Sequence, residues 1–455
     1  MRWASVAGTL VLGAVLAAVP GCGGRKKYDL VLISPHDETI TAEFERGFAK
    51  VFHARYGREV RISWRDLGTG TESQVAFICD QFLRHPEGIG VDMFFGGGID
   101  PYSTLKAKGL LTPYHIKNLE ALPKQLFGVP LYDKDYCWYG ATLSSFGILY
   151  NKVLLKRLNV PEPKTWEDMT DARLTGYVGL ADPSQSGSAR AVYEIILQAY
   201  GWERGMRIIT LMAANALDFH SGSSTLVEDV ALGNLAMGPA IDYYGLMQVA
   251  KAGRGKLGFL LPEKLTAITP DTIAILKGAP NLETAEMFLD FVMSEDGQKL
   301  WILKAGTPGG PVQYDLMRMP VLPKTYDDCP PSASTVTLNP FKFQDSLSHD
   351  AEKSTIRRQL VADLMKSLLI QPHAQLVACW KAVQKSPRRE ELIPRMTELP
   401  VNEPDALELA RTKWEDQVYR SRTTTDWVNW ALEKYAKVEQ EAESAAGKAA
   451  PSEAP

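Results

Sequence analysis

Three short apolar segments near the start of the chain are each followed by a turn and then by an amphipathic segment, and two of the three turns consist of small residues. The apolar segments are residues 28–34, 60–64 and 91–95, and glycine-rich turns follow at 67–73 and 96–98. This repeated strand–turn–helix order predicts βα units and a largely parallel sheet. Ligands of such sheets bind at the carboxyl ends of the strands, so we expect a binding site at these turns.

Further turns of the same kind occur in the middle of the chain. Residues 181–189 read ADPSQSGSA between an apolar run and a periodic helix, and residues 221–224 read SGSS. Free N–H groups and the positive end of the dipole make such helix starts able to hold an anion. Each turn alone is more often a helix cap, but several at strand ends favour a ligand site. The candidate anion-binding residues are Gly68, Thr69, Gly70, Thr71, Ser184, Ser186, Gly187, Ser188, Ser221 and Ser223.

The first residues indicate an exported protein. A basic start is followed by an apolar run, and small residues then precede Cys22. This order predicts a signal peptide over residues 1–21 and resembles a bacterial lipobox, in which Cys22 would carry a lipid anchor. Residues 22–27 would form a short tether. The alternative is a plain signal peptide with a stray cysteine. The formal net charge of −4 gives no support for a nucleic-acid partner.

The remaining cysteines leave their own state open. They are Cys79, Cys137, Cys329 and Cys379. In an oxidising compartment they could form up to two disulfides, and their spacing does not choose among the pairings. They are equally compatible with buried free thiols.

An ordered set of motifs lies between about residues 28 and 310. The motifs are the first strand with Pro35-His36, VDMF at 91–94, GLL at 109–111, LYNK at 149–152, TWED at 165–168, ADP at 181–183, and the segment 290–298. This set resembles the periplasmic solute-binding proteins of ABC importers, in particular the iron and organic-anion group. Each motif is weak alone. Their order and spacing together carry the resemblance.

The resemblance implies an α/β, two-lobed periplasmic-binding-protein fold (type 2) with hinge crossover strands and extra C-terminal helices. The crossovers are expected near residues 139–149 and 257–275. The predicted divisions are a first lobe of 28–139 plus 257–325, a second lobe of 140–256, a helical extension of 326–440 and a disordered tail of 441–455. The same resemblance implies a monomer without a resident cofactor that serves an ABC permease from the periplasm or cell surface.

Ferric iron is the first ligand that the resemblance suggests. Ferric-binding members of the group hold Fe³⁺ with a histidine, a carboxylate and two neighbouring tyrosines, and His36, Tyr243 and Tyr244 match this set. Phenolate and carboxylate oxygens are hard donors that suit a hard ion, and a bound cation promotes tyrosine deprotonation. The sequence leaves the carboxylate open. We include Glu72 in the candidate metal set, and Asp37 and Asp242 are equally candidates.

A small organic anion, either a phosphorylated or a carboxylated metabolite, is the second candidate ligand. It needs only the helix starts and the small-residue turns. An exported hydrolase is a remote alternative, because the serine turns contain no G-x-S-x-G motif and no H-E-x-x-H is present. We therefore expect a binding protein and not an enzyme. A receptor that feeds a signalling protein is indistinguishable from an importer subunit at this level.

Overall fold

The computed structural model describes residues 29–65, 67, 70–342 and 346–449. The predicted signal peptide, the tether and Cys22 lie outside these ranges. So do two of the candidate anion-binding residues, Gly68 and Thr69.

The secondary structure alternates between strands and helices up to about residue 300 and is helical afterwards. The strands are β1 (Leu30–Ile33), β2 (Ile62–Arg65), β3 (Met93–Phe95), β4 (Leu111–Thr112), β5 (Gln125–Leu126), β6 (Val129–Pro130), β7 (Tyr139–Asn151), β8 (Val178–Ala181), β9 (Ala216–His220), β10 (Met237–Ile241), β11 (Leu257–Leu260), β12 (Ile268–Leu276) and β13 (Met319–Pro320). The helices are α1 (Glu38–Tyr56), α2 (Thr71–Arg84), α3 (Ile99–Ala107), α4 (Lys152–Leu158), α5 (Gly187–Tyr200), α6 (Trp202–Asn215), α7 (Ser223–Leu232), α8 (Asp242–Ala252), α9 (Leu282–Val292), α10 (Glu295–Ile302), α11 (Pro323–Asp328), α12 (Ala351–Met365), α13 (His373–Lys385), α14 (Arg389–Met396), α15 (Glu403–Thr412) and α16 (Gln417–Ala449). Among the described residues, no helix is long and apolar enough to cross a membrane.

Two groups of parallel strands form the ends of one large sheet with the order β2-β1-β3-β12-β7-β10-β8-β9. Strand β1 is parallel to β2 and β3, and β8 is parallel to β9 and β10. We call β1–β3 with α1–α3 the first lobe, and β8–β10 with α5–α8 the second lobe. The three predicted N-terminal strands are confirmed.

Strands β7 and β12 connect the two lobes. They pair with each other in antiparallel fashion, from Ile268 opposite Ser145 to Ile273 opposite Tyr139. The second half of β7 then pairs with β10, and every residue of β7 is buried. These strands occupy the segments in which crossovers were predicted. The exact residue boundaries of the lobes stay a prediction.

Helix α1 illustrates how local sequence fixes an element beside the cleft. The Asp37 carboxylate accepts hydrogen bonds from the Thr39 and Ile40 amides and so caps the first turn. Gly57 ends the helix at φ 64°, a left-handed conformation that glycine adopts without strain. Phe44 and Phe48, four residues apart, turn toward the core and are fully buried. The helix start is thereby held directly after β1.

The C-terminal helical region, which we define as α12–α16, corrects the predicted disordered tail. Helix α16 continues to Ala449, so the prediction of disorder is wrong for residues 441–449. Ala442 is fully buried, and the Glu441 carboxylate pairs with Arg395 of α14. The low-complexity composition indicated disorder, but alanine, glutamate and lysine also favour helices once one face can pack. Residues 450–455 lie outside the described ranges.

The cysteines are free thiols in the structure. Cys329 and Cys379 are buried, whereas Cys79 and Cys137 are half-buried. Of the two states left open by the sequence, the structure therefore contains the unpaired one.

Candidate functional site

A cleft of about 930 Å³ lies between the two lobes, where β1, β3, β8 and β10 end. Its position agrees with the rule that open α/β sheets bind ligands at the carboxyl ends of their strands. Most of the predicted site residues that the structure describes line it. They are His36, Gly70, Thr71, Ser186, Gly187, Ser188, Ser221, Ser223, Tyr243 and Tyr244. Ser184 and Glu72 lie outside the lining.

Two helices begin at the cleft with a glycine as N-cap. Gly70 precedes α2 and Gly222 precedes α7, and neither start has a side-chain cap. The amides of the first turn therefore stay uncovered at the positive end of each helix dipole. Gly98, which precedes α3, also lines the cleft and likewise has no side-chain cap. These starts supply backbone donors for an anion from both lobes.

The turn at residues 182–186 is held rigid by one carboxylate. Asp182 accepts hydrogen bonds from the Ser184 amide at 2.7 Å and from the Gln185 side chain at 3.1 Å. Ser186 caps α5 by accepting from the Ala189 amide, and its hydroxyl lies 3.2 Å from that of Ser223. The two serine-rich helix starts thus meet at one place in the second lobe. Ser184 belongs to the turn but does not reach the cleft.

His36 borders the cleft, but both of its ring nitrogens are enclosed by protein. Nε2 lies 3.1 Å from an Asp271 carboxylate oxygen and 3.1 Å from a guanidinium nitrogen of Arg318. Nδ1 is buried, and the side chain is only 3% exposed. In this arrangement the imidazole supports a buried ion pair and presents no nitrogen to a ligand in the cleft.

Arg318 and Asp271 form that ion pair at the floor of the cleft. The guanidinium lies 2.5 Å from the carboxylate and donates to the Ser144 hydroxyl at 2.6 Å. Burial would raise the pKa of Asp271, but the nearby charges of Arg318 and His36 outweigh it and hold this pKa well below its usual range. Asp271 is therefore ionised, and Arg318 remains a permanent cation beneath the cleft.

The two adjacent tyrosines stack on each other and on this cation. The ring centroids of Tyr243 and Tyr244 are 4.1 Å apart, and the Arg318 guanidinium carbon lies 4.4 Å from the Tyr243 ring centroid. Such cation–π geometry is favourable for a buried guanidinium. Burial raises the pKa of both phenols, so both are protonated at neutral pH. In this conformation the tyrosines act as packing and hydrogen-bonding groups.

Glu72, the carboxylate assigned to a metal, is paired with two arginines instead of facing the cleft. It accepts a hydrogen bond from Arg358, and Arg190 lies 3.6 Å away. Burial would raise its pKa, but Arg358 and Arg190 together lower it. The other two candidate carboxylates also have hydrogen-bond partners within the protein. Asp37 caps α1, and Asp242 accepts from the Ser145 amide and hydroxyl at 2.9 Å.

Within the described ranges, no group of three or more histidines, cysteines, aspartates and glutamates could hold a metal ion. His36, Tyr243 and Tyr244 do line one cleft, as the sequence predicted. Glu72 does not join them. The metal assignment of these four residues stays a prediction.

Asp271 and Arg318 are the important residues that the sequence analysis missed. Asp271 lies inside β12 and Arg318 directly precedes β13, in segments that are otherwise apolar. A charged residue within an apolar run is rarely buried without a partner. The occurrence of a single charged residue in each segment therefore indicates that each has a buried partner. Nothing in the sequence shows that the two residues pair with each other across 47 positions.

The family of the chain follows from a comparison with known proteins. The family of bacterial extracellular solute-binding proteins matches residues 89–322, just over half of the chain. The chain belongs to this family. Its members are transport binding proteins that take up a small solute for a membrane permease and need no cofactor of their own.

Two curated relatives are similar over part of the chain. An uncharacterized protein of Haemophilus influenzae is 28% identical over 210 residues, which cover 46% of this chain and 60% of that protein. The phosphoglycerate transport regulatory protein PgtC of Salmonella typhimurium is 24% identical over 302 residues, which cover 64% of this chain and 70% of PgtC. The chain thus spans less than two thirds of the length of the Haemophilus protein.

Solved structures share the fold. The periplasmic binding protein AfuA of Actinobacillus pleuropneumoniae, with fructose-6-phosphate bound, superimposes with a TM-score of 0.62 at 22% identity, covering 76% of this chain and 99% of AfuA. Trichodesmium FutA, in complex with iron and citrate, gives a TM-score of 0.51 at 20% identity, covering 74% of this chain and 98% of FutA. The predicted two-lobed periplasmic-binding-protein fold (type 2) is confirmed.

Proposed function

We propose that this protein captures a small organic anion that carries a phosphate group and delivers it to the permease of an ABC importer. The observation that carries the proposal is the meeting of glycine-capped and serine-capped helix starts from both lobes at one cleft. A phosphate offers several oxygens, and charge-assisted bonds from backbone amides are stronger than neutral ones. Closure of the lobes would bring donors from both sides onto the same group.

The size of the cleft supports an organic ligand. Its volume of about 930 Å³ lies at the upper end of the range typical of small-molecule pockets. Two cations, Arg65 and Lys251, and two carboxylates, Glu38 and Glu228, also line it. All four are solvent-exposed, so their charges are screened and the helix starts remain the main support for an anion.

The floor of the cleft disfavours ferric iron. Fe³⁺ on Tyr243 and Tyr244 would have to bind beside the permanent charge of Arg318, and both phenols would have to lose a proton whose pKa burial has raised. The imidazole of His36 would have to leave its contacts with Asp271 and Arg318. Each change costs free energy, which a phosphate ester on the helix starts does not require.

Ferric iron, with a synergistic anion on the helix starts, remains the second candidate because His36 and the tyrosine pair border the same cleft. Ferric salt added with phosphate or citrate would then produce a visible tyrosinate-to-iron band. The band would be lost in Tyr243→Phe and in Tyr244→Phe. We expect no such band from the purified protein, and its appearance would favour iron over the phosphate ester.

Calorimetric titration tests the phosphate proposal. Three-carbon and six-carbon phosphate esters are titrated against the same compounds without phosphate. Because each hydrogen bond to a charged group contributes about 1.5–3 kcal/mol, at least one ester should bind roughly 100-fold more tightly than its parent alcohol. Equal binding of ester and alcohol, or binding of dicarboxylates alone, would refute the proposal.

Export through the predicted signal peptide and lipid anchoring at Cys22 belong to the same proposal. The anchor would keep a monomeric binding protein close to its permease in the membrane. We propose no bond making or breaking in the cleft. Hydrolysis of a phosphoester or ester by the purified protein, abolished by Ser186→Ala, would contradict this part.

A further inference from the structure

Helix α12 of the C-terminal helical region lies against both lobes. The backbone of Asp350, its N-cap, exchanges two hydrogen bonds with the side chain of Gln198 in the second lobe. A few residues later, Ser354, Thr355 and Arg358 contact helices α2 and α3 of the first lobe. The region therefore connects the two lobes in addition to the crossover strands β7 and β12.

Buried contacts join the C-terminal helical region to the second lobe. The Arg357 side chain is 1% exposed and pairs with Glu194 at 2.8 Å. The indole of Trp380 donates to Asn215 at 2.8 Å, and both residues are buried. The indole of Trp202 in turn donates to the Val401 carbonyl at 3.1 Å. Separating such buried polar groups is costly, so this region moves together with the second lobe.

An ion pair and several hydrogen bonds join α12 to helices α2 and α3 of the first lobe. Arg358 pairs with Glu72 and donates to the Thr104 hydroxyl at 3.0 Å. The Ser354 and Thr355 hydroxyls donate to Asp100 at 3.3 and 3.1 Å. The Arg358–Glu72 pair is almost buried, so opening of the lobes at this point has to separate two buried charges.

Glu72 is the point at which the first lobe, the second lobe and the C-terminal helical region meet. It pairs with Arg358 and also lies 3.6 Å from Arg190, which is fixed to its own lobe by two bonds to the Pro183 carbonyl. Its neighbours Thr71 and Ser73 line the cleft. Opening of the lobes would remove both arginines from one buried carboxylate at once.

We propose that the C-terminal helical region is an interlobe latch, in which Arg358 on α12 holds Glu72 of the first lobe and so favours the closed cleft. The latch would raise ligand affinity and slow ligand release by stabilising the closed form. It concerns the opening of the lobes alone and does not depend on which ligand the cleft holds.

Small-angle X-ray scattering of the full chain without ligand tests the latch. In Arg358→Ala the open fraction should rise by on the order of tenfold, seen as a larger radius of gyration than that of the wild type. The control is Arg388→Ala, which removes an ion pair with Glu391 inside the C-terminal helical region and should scatter as the wild type does. High salt should change all three radii little, because the Glu72–Arg358 pair is buried and salt screens buried pairs weakly.

Equal radii for Arg358→Ala, Arg388→Ala and the wild type at both salt concentrations would overturn the proposal. If circular dichroism shows that Arg358→Ala is unfolded, the double variant Ser354→Ala/Thr355→Ala decides in its place, because it removes the bonds to Asp100 and otherwise only a bond within α12 from Thr355 to the Ala351 carbonyl. A smaller shift in the same direction would support the latch, and no shift would overturn it. Neither result bears on whether a phosphate ester is the ligand.

Discussion

Arg318 organises the floor of the cleft because its guanidinium contacts an anion, a hydroxyl and an aromatic ring at once. It pairs with Asp271, donates to Ser144 and lies over Tyr243, and its side chain is fully buried. A buried charge is tolerated only when its partners compensate for lost hydration. His36 and Tyr243, two of the residues that the sequence suggested as metal ligands, are thus held in place around a protein cation.

Removal of the Arg318 side chain should destabilise the protein, because the Asp271 carboxylate would stay buried. We expect Arg318→Met to lower the free energy of unfolding by about 3–5 kcal/mol, because Asp271 would be left buried without its partner. Arg318→Met combined with Asp271→Asn should recover part of this loss. Urea denaturation of the three proteins measures both effects. A double variant that is no more stable than Arg318→Met would contradict an energetic coupling between Arg318 and Asp271.

Asp242 gives the structure a specific pH dependence. Burial raises its pKa to about 6, despite hydrogen bonds from Ser145 and Tyr243 that favour the ionised form. An acid whose pKa is raised on folding stabilises the fold at low pH and loses that contribution as pH rises through about 6. Relative to Asp242→Asn, the wild type should therefore lose stability between acidic and neutral pH. Urea denaturation of the two proteins at acidic and neutral pH measures this loss. The same difference in free energy of unfolding at both pH values would argue against a raised pKa of Asp242.

At the level of the elements, the helix starts that border the cleft could be predicted well from the sequence. Small residues after apolar strands marked the starts of α2, α5 and α7, and the capping serine at 186 behaves as such residues do. The role of α12 was not predictable. Its contacts join segments more than 150 residues apart, and no local pattern encodes that pairing.

A negative charge at the start of α7 should block anion binding without harming the helix. Ser224 is exposed in the first turn and lines the cleft. Ser224→Asp should weaken binding of the best phosphate ester by on the order of 100-fold, whereas Ser224→Asn, of the same size, should change it little. Calorimetry gives both affinities. Since aspartate stabilises a helix start, similar affinities in the two variants would mean that the phosphate does not bind at this helix.

On the scale of the whole molecule, the structure is a closed form in which the lobes touch beside the cleft. A Cβ atom on Gly70 of the first lobe would lie 2.3 Å from the Gln185 carbonyl oxygen of the second. The crossover strands β7 and β12 could be predicted because apolar runs and family-like spacing mark them. The contact between Gly70 and Gln185 could not be predicted from the sequence, because it depends on how two separately folded lobes dock.

Gly70→Ala should keep the lobes apart. Its Cβ would collide with the backbone of the second lobe, and backbone cannot move aside as a flexible side chain can. We expect a larger radius of gyration by small-angle scattering than in the wild type. Gly255→Ala is the control, because a Cβ there meets nothing within 4 Å. Equal radii for the two variants would show that the lobes do not close in this way in solution.

A thermal-shift screen of the purified protein shows whether a phosphate ester is the ligand, since a ligand that binds only the folded state raises the melting temperature. The panel contains phosphate esters, their parent alcohols, dicarboxylates, polyamines and ferric salts with citrate. We expect a clear rise in melting temperature with at least one phosphate ester and none with its parent alcohol or with ferric citrate. A rise with ferric citrate, or the lack of a rise with every phosphate ester in the panel, would refute the proposed function.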